Sequence, residues 1–110
     1  MRLIRSVIRP SRFDEVRSAL LEANVVAFTV HEVHDYAPQN RHNQVWRARE
    51  YATENVVRYE LVLTVDDDDV DAIVAVILRA ARTRDAADGH VAVMPIDHRY
   101  TVHSGFREIS

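Results

Sequence analysis

The side chains with the means to bind or catalyse are six histidines, four consecutive aspartates, an arginine-rich turn at residues 82–90 and a long polar stretch from Asp35 to Asn55. His31 and His34 would lie on opposite faces of an extended strand, a poor geometry for gripping one ion, and His42, His98 and His103 would converge only across the fold or between copies. No resident metal is expected. Asp66 to Asp69 lack the spaced oxygens and the loop glycine of a calcium site, and they read instead as the head of a helix, where carboxylates cap free amides and face the positive end of the dipole. Ser104 has no nucleophile-elbow context, and no carboxylate pair is placed by motif for acid and base roles. Cysteine is absent, which removes thiolate zinc sites, cysteine nucleophiles and disulfides. The Walker and Rossmann fingerprints are missing, and with two glycines in the chain a phosphate cradle has to be built from other residues. The expectation is that the chain is not an enzyme.

Bulk properties narrow the partner. A formal net charge of −3, with both signs interspersed, makes no broad positive field, so nucleic acid is not expected. Arg2, Arg5 and Arg9 interrupt the apolar residues at the start, which leaves no stretch for a signal peptide or a membrane span. The reading is a cytoplasmic protein with no direct membrane insertion. A length of 110 residues with 47% hydrophobic content suits one domain, 1–110, with a two-layer core.

The elements that must position those side chains follow from periodicity. Leu3 to Ile8 has apolar residues at odd and even positions, as in a strand covered on both sides. Pro10 stops it, Ser11 and Asp14 offer a helix start, and Phe13, Val16, Leu20 and Ala23 recur at helical spacing to about Asn24. Val25 to His34 is rich in β-branched residues and reads as a second strand. Residues 35–57 read as a long mobile loop, the first place to look for a function. Tyr59 to Val65 alternates as a half-buried strand. Val70, Ile73, Val74, Ile77, Leu78 and Ala81 then form a helix that ends in Arg79, Arg82 and Arg84. After the Asp88-Gly89 turn, Val91 to Ile96 is a fourth strand, and 97–110 is an extension in which Tyr100 to His103 pairs elsewhere. The order β-α-β-β-α-β predicts an α+β, ferredoxin-like sandwich: a four-stranded antiparallel sheet with both helices on one face. The bare face calls for another copy of the chain and a closed oligomer.

Several strings in this order resemble the PII signal-transduction, or nitrogen-regulatory, family. They are Ile8-Arg9-Pro10 with Phe13 to Leu20, Thr29 to Val33, Trp46 to Tyr51 in the place of the family's Tyr-Arg-Gly-Ala-Glu-Tyr, and Arg82 to His90 in the place of its Thr-Gly-Lys-Ile-Gly-Asp-Gly-Lys loop. The resemblance implies a homotrimer with ATP or ADP in three clefts between subunits. It also implies that residues 35–57 are a T-loop docking onto a transporter or enzyme of nitrogen or carbon metabolism. Position by position, Thr29 falls near the adenine, Gln39 on magnesium and 2-oxoglutarate, Arg58 on the same acid, and Asp88-Gly89 on the phosphate side. Trp46 becomes an interface anchor, and Tyr51 a docking aromatic or a modification site.

The chain also departs from the family pattern. Asp35, Ala37 and Pro38 replace residues at the T-loop base, Arg84 and Asp85 replace Gly-Lys, His90 replaces a phosphate lysine, and Thr101 and His103 replace two arginines. About three positive charges are thereby missing against a ligand carrying up to ~4 negative ones. ADP or AMP, or another small ligand, fits better, in a cleft rebuilt around Arg82, Arg84 and Arg99, with Thr83 and His103 also counted among the effector-binding residues. Two other readings stay open: a trimeric metal-handling protein of the same fold, and an interaction module without nucleotide.

Overall fold

With apolar side chains on both faces, the first strand belongs in the middle of a sheet, and it is found there. The computed structural model describes residues 1–37, 54–85 and 87–108. Strands β1 (Arg2–Ile8), β2 (Thr29–Ala37), β3 (Glu54–Val65) and β4 (Gly89–Pro95) form one sheet in the order β2-β3-β1-β4, with every neighbouring pair antiparallel. Helices α1 (Phe13–Glu22) and α2 (Val70–Ala81) make the two crossovers, and the predicted ferredoxin-like α+β architecture is observed.

Register decides which side chains meet the helices. Ile4, Ser6 and Ile8 stand opposite Leu63, Leu61 and Tyr59 and share their face, because paired positions in a sheet point the same way. On that face Ile4, Ile8, Leu61 and Leu63 pack with Val16 and Leu20 of α1 and Ile73 and Ile77 of α2. Each such side chain contributes about 1.5–3 kcal/mol by leaving water. Phe13 closes one end by setting its ring edge-on to Tyr59, with centroids 5.5 Å apart. The opposite face carries Leu3, Val7, Val33 and Val62, but it is not uniformly apolar. Glu60 sits among them, ion-paired with Arg5 and 3.1 Å from His31 Nε2.

The helix starts differ from expectation. Neither Ser11 and Asp14 nor the Asp66–Asp69 run forms a side-chain cap. A 3-10 turn precedes each helix instead, and its backbone takes up the first free amides, from Arg12 to the Arg9 carbonyl (3.0 Å) and from Asp69 to the Asp66 carbonyl (2.9 Å). Asp67 is thereby released to bind the N-terminal ammonium at 2.6 Å, with Arg2 at 3.4 Å. Helix α1 ends at Glu22, where Asn24 adopts φ 67° and the amide of Val25 bonds back to the Leu20 carbonyl at 2.8 Å, a left-handed helix stop.

Strands β2 and β3 are also displaced. Strand β2 begins at Thr29, not Val25, and β3 begins at Glu54, before Tyr59, so Asp35, Tyr36 and Ala37 pair with Val56, Asn55 and Glu54. Both ends of the 35–57 segment are therefore strand, since ladder hydrogen bonds continue past the edge of the core wherever two extended chains already run side by side. The extension pairs with itself: Tyr100 bridges Arg107, and the Glu108 amide donates to the Arg99 carbonyl at 2.7 Å.

Ser6 is fully buried in the middle of β1, and its hydroxyl has no partner among the described residues. A buried hydroxyl without a hydrogen bond costs about 1–3 kcal/mol. Ser6→Ala should therefore raise the denaturant midpoint without changing the slope, a gain of about 0.5–1 kcal/mol after the lost packing of one oxygen. A loss larger than 1 kcal/mol would show that the hydroxyl is satisfied.

Candidate functional site

The end of β1 and the start of β4 meet at an unusually close backbone approach. Gly89 stands opposite Ile8 with φ +119°, and a Cβ added there would lie 1.9 Å from the Val7 carbonyl oxygen. Neither the torsion nor the space admits a side chain, so glycine is required for β4 to begin here. Its position sets Asp88 at the lip of the turn.

Asp88 gathers that turn around its carboxylate. Oδ2 accepts the Thr83 amide at 2.6 Å, while Oδ1 accepts the Thr83 hydroxyl at 2.5 Å and Arg9 Nε at 3.0 Å. Arg9 also reaches Asp85, with Nη2 2.8 Å from Oδ2. Asp85 in turn accepts the Ala87 amide at 2.9 Å and donates its own amide to the Thr83 hydroxyl oxygen at 3.0 Å. The pKa values follow from these contacts. The bonds from Thr83 hold the Asp88 carboxyl below its ordinary value, the Ala87 amide does the same for Asp85, and the bond to Asp88 raises Arg9.

Beside this turn lies a cleft of about 460 Å³ with an apolar floor that includes Ile8, Leu78 and Val91 and a rim that includes Arg82, Arg84 and His90. Cationic fork-shaped donors over an apolar floor suit a ligand with an anionic end and a flat or greasy end. Of the residues expected to bind a ligand, Arg82, Thr83, Arg84, Asp88, Gly89 and His90 are together here.

Four others lie elsewhere. Thr29, whose hydroxyl is 3.4 Å from the Val62 carbonyl oxygen, shares a second cavity of about 660 Å³ with Arg17, Phe28 and Arg99. It begins β2, on the opposite edge of the sheet from β4, three strand spacings or ~14 Å away before any offset along the strands. Arg99 pairs with Glu108 at 3.3 Å. Arg58 lies opposite Val33, 8% exposed, with no partner for its Nε among the described residues. His103 is exposed in the turn of the extension. Gln39, Trp46 and Tyr51 fall outside the described residues. Among those residues no group of three or more His, Asp or Glu side chains is arranged to hold a metal ion.

Sequence reasoning did not find Arg9 and Asp85. Arg9 lies 79 positions from Asp88, and nothing local joins an arginine before a proline to a turn at the far end of the chain.

A split β-α-β sheet with a cationic cleft beside the β4 turn makes this a ferredoxin-like domain with a candidate ligand cleft at its β4 end. The profile of the family described as nitrogen regulatory protein P-II matches residues 1–105, and the chain belongs to that family. Its relatives include the nitrogen regulatory protein P-II of Nostoc punctiforme, 33% identical over 105 residues, which cover 96% of this chain and 94% of the relative. The P-II protein of Synechocystis is 32% identical over 108 residues, covering 98% and 96%. P-II 1 of Escherichia coli is 31% identical over 105 residues, covering 96% and 94%. The crystal structure of Arabidopsis thaliana PII bound to citrate shares the fold, with a TM-score of 0.75 at 24% identity, covering 97% of this chain and 87% of that one.

Because the folded state lowers the pKa of Asp88 and Asp85, their contribution to stability is full above the ordinary aspartate range and is lost as the pH falls through the depressed values. The unfolding midpoint should therefore drop below about pH 4. Asp88→Asn should start lower at pH 7 and fall less on acidification, and parallel curves would show that the turn contributes nothing. Gly89→Ala should cost about 2–4 kcal/mol in equilibrium unfolding, because strain and a backbone collision act together.

Proposed function

We propose that this chain is a P-II signal-transduction regulator that binds an adenine nucleotide in clefts between three copies of itself and passes its state to a partner. The observation that carries the reading is the fastened 82–90 turn, with Arg82 and Arg84 on the rim of an apolar cleft. The expected ligand residues occupy opposite edges of one sheet, the β4 turn on one side and the Thr29 and Arg99 cavity on the other. A ring of copies joined edge to edge sets the β4 edge of one against the β2 edge of the next, so each site takes a residue set from two copies, as a closed heterologous interface requires. The homotrimer is the ring we adopt, with Leu3, Val33 and Val62 of the bare face covered inside it.

Charge favours the less phosphorylated nucleotides. Arg82 and Arg84 line the cleft with Asp85 and Asp88, and Arg9 pairs with both of those carboxylates from beside it, so three guanidinium groups stand against two carboxylates at this end. ADP or AMP suits that excess better than ATP. The Nε of buried Arg58, without a partner among the described residues, supports a carboxylate second effector, and the Arabidopsis thaliana PII structure is bound to the carboxylate citrate. We assign Gln39 to magnesium and that acid, and Trp46 and Tyr51 to docking on a membrane transporter or metabolic enzyme. No helix among the described residues is long and apolar enough to cross a membrane, and we place the protein in the cytoplasm beside such a partner.

Light scattering should give a trimer at micromolar concentration. Millimolar ADP or AMP should raise its melting temperature, by the equivalent of about 2.7 kcal/mol at a hundredfold excess over Kd. Arg82→Gln with Arg84→Gln should abolish the shift while keeping the trimer. If ATP, ADP and AMP all leave the melting curve unmoved, the chain is not a nucleotide sensor.

A further inference from the structure

The 82–90 turn already holds two anions of its own, and they are not equivalent. Asp88 is enclosed, with its side chain 19% exposed and three donors on its carboxylate, two from Thr83 and one from Arg9. Removing it dismantles the turn. Asp85 is 60% exposed and holds two donors, Arg9 Nη2 at 2.8 Å and the Ala87 amide at 2.9 Å. Its own amide is anchored separately, on the Thr83 hydroxyl oxygen. The carboxylate can therefore rotate away while the backbone beneath it stays in place.

What such a rotation uncovers is an oxyanion site: a guanidinium edge of Arg9 and the Ala87 amide, both bonded to Asp85, which itself lines the cleft with Arg82 and Arg84. Concave arrangements of backbone amides with a fork-shaped cation are what phosphate oxygens select. We propose that Asp85 is a tethered stand-in for the ligand's phosphate: a phosphate group displaces its carboxylate from Arg9 and from the Ala87 amide. The inference rests on reading this cleft as the phosphate side of the site, and it makes Asp85 and Arg9 the pair that sets how strongly an anion must bind to enter.

Two consequences follow from the geometry. An incoming group must offer two oxygens to replace both contacts of Asp85, so a phosphate or diphosphate competes better than a monodentate anion. Ligand entry also frees a carboxylate at the surface beside Arg84, so the occupied turn differs from the empty one in charge distribution and not only in contents.

The test is a double-mutant cycle read with inorganic pyrophosphate and, separately, with ADP. Asp85→Asn removes the charge held on Arg9 but keeps an oxygen of similar shape, and it should tighten pyrophosphate about five- to tenfold in isothermal titration. Arg9→Gln should weaken it, and in that background Asp85→Asn should bring little further gain, because the cation freed by the substitution is gone. Arg9→Lys, which keeps the charge on a single donor, serves if the glutamine variant does not fold, and there the gain should be about half as large on a logarithmic scale. An equal gain in every background would mean a long-range charge effect and would overturn the inference, as would no gain at all. The two readings fail separately. Tighter pyrophosphate with ADP no better than pyrophosphate keeps the role of Asp85 and removes the nucleotide, whereas ADP binding indifferent to Asp85→Asn keeps the nucleotide and removes the displaced carboxylate.

Discussion

The functional end of this molecule depends on one close contact between backbones, Gly89 against the carbonyl of Val7. That approach starts β4 opposite Ile8, and from there the ladder with β1 runs without interruption to Pro95 opposite Arg2. Because β1 is also paired with β3 and buried against both helices, the turn before Gly89 hangs from the most constrained strand of the sheet. A turn so anchored keeps Thr83 and the enclosed Asp88 in place, and leaves the more exposed Asp85 carboxylate as its freer group.

Charge at that end is arranged in pairs. Arg9 at the end of β1 is shared by Asp85 and Asp88, and the opposite end of the same strand repeats the pattern with the N-terminal ammonium and Arg2 on Asp67. On the face away from the helices Glu60 is shared by Arg5 and His31. These pairs are partly solvated, so their value lies less in stability than in fixing which polar groups point where. Arg82 and Arg84 stand on the cleft rim apart from these pairs, two cations close together on a chain whose net charge is −3.

The parts of the fold that were legible in the sequence are those held by burial. Alternation in Tyr59 to Val65 and the stripe from Val70 to Ala81 named their elements correctly, because there the apolar spacing and the final environment express the same demand. The misreadings cluster where backbone geometry outweighs side-chain pattern. A cap was expected from the Asp66–Asp69 run, but a 3-10 turn consumed the amides first, and Asp67 found a cation sixty-six positions away. The expected start of strand β2 lies four residues too early, because Val25 to Phe28 has the composition of a strand but pairs with no strand among the described residues.

By itself the sequence determined the β-α-β-β-α-β order, the apolar stripes of the core and the turn at Asp88-Gly89 before the last strand, since each is written in neighbouring residues or in a short period. Tertiary structure decided what the turn is made of. It brought Arg9, just past the end of β1, to Asp85 and Asp88, and it placed Thr29 and Arg99 at the far edge of the sheet from that turn. The reason is physical: local preference and periodicity report what a residue buries, whereas a site is a meeting of distant polar groups, and only strand order and register say which of them meet.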